Sequence, residues 1–366
     1  MPKLLGITQS GYDPASRFRF IQFIPYLEKN GWQVEHRPNR PDRQWSSPLR
    51  SRLARALHYR AGRVLMKANR IVDLISSASY DVAFVNRDFA AEGALFQKMF
   101  LPLMRKAIFD FDDALFVGGR EKLVRWMCAN AFWVTPGNEY LADYARQFTN
   151  RVTIIPTVID TECCRSRDYS MPAGRKGPVR IGWSGSDQSI GTTLVPHLPM
   201  LEALQRQTDF ELVVITNTEP KLPTSSLRWK FVPWKAEDEA SLHTKFDIGI
   251  MPLVDDAFQK GKCALKLLQY MAAGLPTVAS PVGVNQNVLL HQITGFAART
   301  DNEWHEGLTC LLKNPELRAA MGQAGRERCQ QHYSVRRWLP VLLNLFEKIR
   351  VERALSGSIQ RPVHTS

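Results

Sequence analysis

The stretch KGKCALKLLQYMAAGLPTVAS, residues 260–280, puts Lys262 and Lys266 four residues apart at the opening of a helical pattern. Residues at that spacing share one face of a helix. A lysine in the first turn opposes the helix dipole, which costs roughly a few tenths of a kcal/mol. An anion between the lysines and the free first-turn N–H groups turns that cost into an attraction. A solvated helix with outward-pointing lysines accounts for the same spacing. Asp110, Asp112 and Asp113, in DFDDA, follow an apolar run, so three carboxylates gather at the C-terminal edge of a strand. Arg17 and Arg19, in ASRFR, come just after the first strand and either face a cleft or lie on the surface.

The elements that must position these residues are read from alternation. Apolar, β-branched runs at 3–8, 33–37, 81–86, 106–111, 132–135 and 152–157 read as strands. A second series follows at 179–185, 210–216, 229–234, 246–253 and 276–281. Amphipathic stretches between them imply parallel sheets with helices on both faces. The helix carrying the two lysines begins near Cys263 and runs to Ala273, with Gly274 as its cap and Pro276 beyond. Leu265, Leu268 and Met271 would face the sheet. The polar segment 161–178 has no apolar period and reads as a linker. It separates an N-terminal domain, 1–160, from a C-terminal domain, 179–335. A helix over 336–355 is expected to pack back on the first domain, and 356–366 reads as a disordered tail. The fold class is α/β, two doubly wound Rossmann-like domains facing across a cleft lined by strand C-termini.

A chain of 366 residues, 44% of them hydrophobic, is long enough for two such cores. No apolar run approaches the length of a membrane span, and the N-terminus turns polar too soon for a secretory signal. A cytoplasmic protein is expected, possessing reduced thiols. The six cysteines form no C-x-x-C pair, and adjacent Cys163 and Cys164 suit neither a disulfide nor zinc. The net charge of +13 is local: ten basic residues lie between Arg37 and Arg70, opposed only by Asp42. Such a segment suits an anionic membrane surface, a phosphorylated ligand or nucleic acid. Residues 46–75 can form a basic helix with Leu49, Leu53, Leu57, Val64 and Leu65 on or near one side. Lying on an anionic leaflet is one use for it, and packing on the core with a solvated basic face is the other. No base-reading module or stacking-aromatic pattern accompanies the charge, so no nucleic-acid partner is expected.

The string from Lys266 to Phe296, KLLQYMAAGLPTVASPVGVNQNVLLHQITGF, resembles the donor-nucleotide segment of the retaining glycosyltransferase family four, whose fold is GT-B. Members commonly read K-x-x-E-Y-M-A-x-G-x-P-V-V-A, with a Gly-Phe further on. VRIGWSGS is similar to the first strand and loop of the family's C-terminal domain. PASRFRFIQFIPYLEKNGWQV, KAIFDFDDALF, VTPGNEYLADYA and VTIIPTVIDTE are similar to N-domain segments of a bacterial subgroup that builds surface polysaccharides. Residues 5–335 are covered in this way.

The resemblance implies that a nucleoside diphosphate meets the backbone of Cys263, Ala264 and Leu265, with Gly185 and Ser186 lining the same donor site. Gln269 stands where the family has the glutamate that chelates the ribose hydroxyls; a glutamine accepts through one atom and donates through the other. Gly261 stands where a second glutamate touches the sugar, so that contact is either lost or supplied from elsewhere, with Asp255 and Asp256 as candidates. Ser186 replaces an arginine of many relatives, so Lys262 and Lys266 are left to balance the diphosphate. Lys266 is assigned to stabilising the leaving group. Asp112 and Asp113 are the remaining catalytic candidates; Asp110, Arg17, Arg19 and Asn138 belong to the acceptor side or the cleft. Asn138 matches a subgroup asparagine, and helix capping is its other reading. Asp110-Phe111-Asp112 matches a metal-binding D-x-D of another glycosyltransferase fold, a role that the two-domain organisation argues against. No histidine is nominated. The implied reaction moves a sugar from a nucleotide-sugar to a hydroxyl of a glycan or lipid-linked glycan, retaining configuration, without metal or cofactor. The implied location is cytoplasmic, peripheral at the inner face of the membrane. A GT-B nucleotide-sugar epimerase is the alternative, and a nucleic-acid-binding protein using 37–70 is the second.

Overall fold

The computed structural model describes residues 1–39, 51–87, 98, 101–104, 106–167, 177–224, 226–235, 239–242 and 245–358. Residues 40–50 of the basic segment (including Leu49), 168–176 of the expected linker and 359–366 of the expected tail lie outside this set. The chain divides into two compact units, Met1–Pro156 with Trp338–Ser366, and Thr157–Arg337.

The first unit is built on five parallel strands, β1 (Lys3–Thr8), β2 (Gln33–Pro38), β3 (Val82–Asn86), β4 (Ala107–Phe111) and β5 (Trp133–Pro136), in the order β2-β1-β3-β4-β5. Every residue of β3, β4 and β5 is buried, which is why they read as continuous apolar runs and not as alternating ones. The described α-helices of this unit's Met1–Pro156 part include α1 (Pro14–Arg19), α2 (Ile24–Lys29), α3 (Arg52–Ser77), α4 (Glu121–Asn130) and α5 (Glu139–Arg146). Asp13 accepts from the Ser16 N–H and Pro14 follows it, so α1 starts where the β1 loop delivers a cap. The run at 152–157, expected as a strand, makes only an isolated bridge from Val152 to Val134. Thr153 N–H donates to the Val134 carbonyl at 3.0 Å, but Pro136 has no N–H with which β5 could continue the ladder.

The second unit holds six parallel strands, β6 (Val179–Ser184), β7 (Phe210–Thr216), β8 (Trp229–Pro233), β9 (Ile248–Met251), β10 (Thr277–Ala279) and β11 (Gly295–Ala297), in the order β11-β10-β9-β6-β7-β8. The strand β11 has only three residues, too short for a sequence period, and was not among the expected strands. Connections run outward from β6 in one direction and from β9 in the other. The gap between their C-terminal ends is therefore the switch point at which such sheets take ligands. The helices are α6 (Asp187–Thr193), α7 (Leu198–Gln205), α8 (Glu239–Leu242), α9 (Ala257–Lys260), α10 (Leu265–Ala272), α11 (Asn285–Val288), α12 (Asp301–Lys313) and α13 (Pro315–His332). Along β7 the pleat sends Leu212 and Val214 into one core with Trp183, Leu201 and Trp304. Val213 and Ile215 enter the other, with Phe246, Tyr270 and Leu275.

The last helix, α14 (Val335–Ser358), belongs from Trp338 onward to the first unit. Its Phe346 is fully buried, with the ring 5.6 Å from that of Trp32 and 6.4 Å from that of Phe84. All six cysteines are free thiols.

Candidate functional site

At the switch point of the second unit, β6 ends at Ser184 and the chain turns through Gly185 and Ser186 into α6. Lys266, in the first turn of α10, lays its Nζ 4.4 Å from the ring centre of Trp183, which is fully buried. A Cβ built on Gly185 would stand 2.7 Å from that Nζ and 2.4 Å from the Trp183 ring. Only a glycine lets the ammonium come so close to the β6 loop. Burial, and then the charge of Lys262, bring the Lys266 pKa down to about 7. The Lys262 Nζ lies 5.9 Å from the Phe258 ring. Two cations thus share a partly desolvated corner, an arrangement that an incoming anion would relieve.

The backbone entering α10 is unusual. Ala264 takes a left-handed conformation, φ 56° and ψ 24°, and its carbonyl accepts from the Leu268 N–H at 3.0 Å. A left-handed residue feeding a right-handed helix turns successive N–H groups to one side, the geometry of an anion-binding nest. The first-turn N–H groups of α10 have no intrahelical acceptor. Cys263 and Ala264 are buried as residues, and the Cys263 Sγ lies 3.8 Å from the Gly261 carbonyl.

The body of α10 is fixed by its neighbours. The Ser184 N–H donates to the Tyr270 Oη at 3.0 Å, tying the end of β6 to the middle of the helix. Burial pushes the Tyr270 hydroxyl up to about 12, so it stays protonated. The Arg326 guanidinium, from α13, donates to the carbonyl of Ala272 and to that of Thr161 at 3.2 Å. It places a cation at the negative end of the helix. The expected sheet-facing stripe is a nearly all-round burial, since residues 267–272 are all buried, and Leu265 is only partly so. Met271 rests on Gly325 of α13, so the helix is covered on the side away from the sheet as well. Gln269 is itself 8% exposed. Asp256 caps α9 by accepting from the Gln259 N–H at 2.7 Å, and Asp255 pairs with Lys260 at 3.1 Å. Asp187 accepts hydrogen bonds from Thr216 and Thr218, which hold its pKa below the usual carboxylate value.

In the first unit the nominated residues separate into two groups. Asp110 is fully buried and accepts from Arg19 Nε at 3.1 Å, Asn86 Nδ2 at 2.8 Å and Thr135 Oγ1 at 2.8 Å. Arg19 is 2% exposed and also donates to the Ile155 and Thr135 carbonyls. Arg19 and Asp110, expected on the acceptor side or in the cleft, thus form a buried ion pair that fastens α1 to β3, β4 and β5. Asn138 accepts from the Leu141 N–H at 2.9 Å and caps α5. Arg17 lies 5.3 Å from the Phe18 ring; burial lowers its pKa and Asp13 opposes the shift.

Asp112 and Asp113 remain at the edge of the sheet, but one residue absent from the expectations organises them. Arg87 donates from Nε to Asp112 at 2.8 Å and from Nη2 to Asp113 at 2.5 Å. Against the effect of burial, those carboxylates and Asp13 hold the Arg87 charge well above its ordinary range. Arg87 follows β3 directly with φ 62°, a left-handed backbone uncommon for a side chain of this size. Its partners are set by the parallel register that places Asn86 beside Asp110, and strand order is not written in sequence. The D-x-D carboxylates therefore diverge, Asp110 inward to Arg19 and Asp112 to Arg87. Among the described residues no group of three His, Cys, Asp or Glu is placed to hold a metal ion.

Residues 192–314 match the family model described as glycosyl transferases group 1. A sucrose-phosphate synthase from Thermosynechococcus elongatus is 15% identical, aligned over 98% of this chain and 100% of its own, with a TM-score of 0.63. The Anabaena protein HepE, solved with UDP and glucose, is 14% identical over 98% of this chain and 100% of its own, with a TM-score of 0.64. WaaG, a glycosyltransferase involved in lipopolysaccharide biosynthesis, is 15% identical over 95% of this chain and 98% of its own, with a TM-score of 0.60. No curated protein sequence matches. At these identities the likeness is one of fold: two parallel-sheet α/β domains that match GT-B glycosyltransferases.

Proposed function

We propose that this protein is a glycosyltransferase that moves a sugar from a nucleotide-sugar donor to a hydroxyl of a glycan or lipid-linked glycan in cell-surface polysaccharide synthesis. The observation that carries the reading is the Lys266 ammonium, in the first turn of α10 and desolvated against Trp183 and Gly185. A departing nucleoside diphosphate would bring negative charge to the Lys266 ammonium. Negative charge grows on the leaving oxygen as the glycosidic bond breaks, so a fixed cation and fixed N–H dipoles bind the transition state more tightly than the ground state. Support comes from the match of residues 192–314 to group 1 glycosyl transferases and from the UDP and glucose bound to HepE. The lipopolysaccharide role of WaaG favours a surface-glycan acceptor.

In this reading Lys262 adds charge to the diphosphate and Gln269 bonds the ribose. Asp112 and Asp113, locked by Arg87, are assigned to the acceptor hydroxyl. Retention of configuration follows from the family-four resemblance of the Lys266–Phe296 string. Titration calorimetry of the full chain with UDP, GDP, ADP and TDP tests the donor site. At least one is expected to bind in the micromolar-to-millimolar range, and silence from all four would end the nucleotide-sugar reading.

A further inference from the structure

The helix α3 runs 26 residues from Arg52 to Ser77 with Ser51 as its cap. One side of it is anchored. Arg70 and Asp73 are buried and paired at 2.7 Å, and Arg37 of β2 donates to Asp73 at 2.5 Å and to Ser76 Oγ at 2.8 Å. The other side carries apolar residues into solvent: Leu53 is 72% exposed, Leu57 56%, Val64 68%, Ile71 44% and Ile75 72%. At 3.6 residues per turn these five positions fall within about 40° of one line, and the stripe is about 33 Å long. Arg70 and Asp73 lie on the opposite side of that line. A surface helix of a globular protein turns such a stripe to its core; this one turns it away.

Charge decides what covers the stripe. The helix holds six Lys or Arg residues and a single acid, Asp73, already neutralised by Arg70 and Arg37. Exposed Arg60 lies within one turn of both Leu57 and Val64. A second copy of this chain would bring one basic helix against another. A nucleic acid would answer the charge and leave the apolar stripe in water. An anionic bilayer answers both, and the helix is too charged to cross one: among the described residues no helix is long and apolar enough for a span. We propose that α3 lies flat on an anionic membrane surface, with Leu53, Leu57, Val64, Ile71 and Ile75 at the acyl boundary and Arg60 at the lipid phosphates. This surface is a property of the helix and holds whether or not the protein transfers sugar.

Sedimentation with phosphatidylglycerol-containing vesicles tests it, with pure phosphatidylcholine vesicles as the uncharged arm. The full chain is expected to pellet with the anionic vesicles, less so as salt rises, and to ignore the neutral ones. The triple variant Leu57→Ser, Val64→Ser, Ile71→Ser keeps every charge and alters only exposed positions, so its melting temperature should match the parent's. Its partitioning should fall on the order of a hundredfold. Three outcomes would overturn the proposal: a wild-type chain that stays in the supernatant, a triple variant that partitions like the parent, or a dimer seen by light scattering that the triple variant dissolves. The second would mean that charge alone attracts any polyanion, and the third that the stripe belongs to another copy.

Discussion

An ammonium pressed on an indole and against a glycine has exchanged part of its hydration for a weaker cation–π contact, so Lys266 holds its proton only to about 7. The unfolded lysine holds its proton to about 10.4, so between these values the unfolded chain binds more protons than the folded one. Stability should therefore rise as pH climbs from 7 towards 10, and Lys266→Met should remove that rise. The same variant should melt higher than the parent near pH 6, where the parent buries an uncompensated cation. Its turnover should fall about a hundredfold, a loss of about 3 kcal/mol of transition-state stabilisation. A surface lysine would change none of these. A bound diphosphate would restore the proton, so above pH 7.5 nucleoside diphosphate affinity should weaken with rising pH, with proton uptake visible in calorimetry across buffers. Gly185→Ala should weaken the same affinity by displacing the ammonium. The types and spacing of the two lysines were legible in the sequence. That Asp110 and Arg19 consume each other was not, because residues 91 positions apart meet only once the sheet order is known.

The helix α10 shows what an element adds to its residues. Its start near Cys263 and its end at Gly274 could be read from capping chemistry, and Gly274 does take φ 72°. Its burial on nearly every side could not, because the covering helix α13 lies some fifty residues on and leaves no trace in the local period. The nest depends on where α10 sits relative to β6, and that distance is held by Tyr270. Tyr270→Phe removes the acceptor of the Ser184 N–H and should destabilise the protein by about 1–2 kcal/mol in denaturant unfolding. Nucleoside diphosphate affinity should drop with it, since the Gly185 loop loses its tie to the helix. Loss of stability with affinity intact would show that the tie serves folding alone.

The whole molecule was legible as two parallel α/β layers because buried strands announce themselves as β-branched runs between helical periods. Chain direction across each sheet, and the identity of the edge strands, come from crossover handedness and packing and have no local signature. The helix α14 completes the first unit: its Leu342, Leu345, Phe346 and Ile349 are buried, and Phe346 packs on Trp32 and Phe84. The second unit, Thr157–Arg337, fills the cores on both faces of its sheet with side chains of its own. A chain ending at Arg337 should therefore fail selectively. Phe346→Ala alone is expected to cost about 3–5 kcal/mol, the range for a large aromatic removed from a core. The truncation removes four such buried side chains at once, more than the stability of a typical domain can absorb. Limited proteolysis of residues 1–337 should degrade the first unit and leave a protected fragment beginning near Thr157, still able to bind the nucleoside diphosphate. Uniform resistance across the truncated chain would mean that the first unit completes its core without the returning helix. Uniform degradation would mean that the second unit cannot stand by itself.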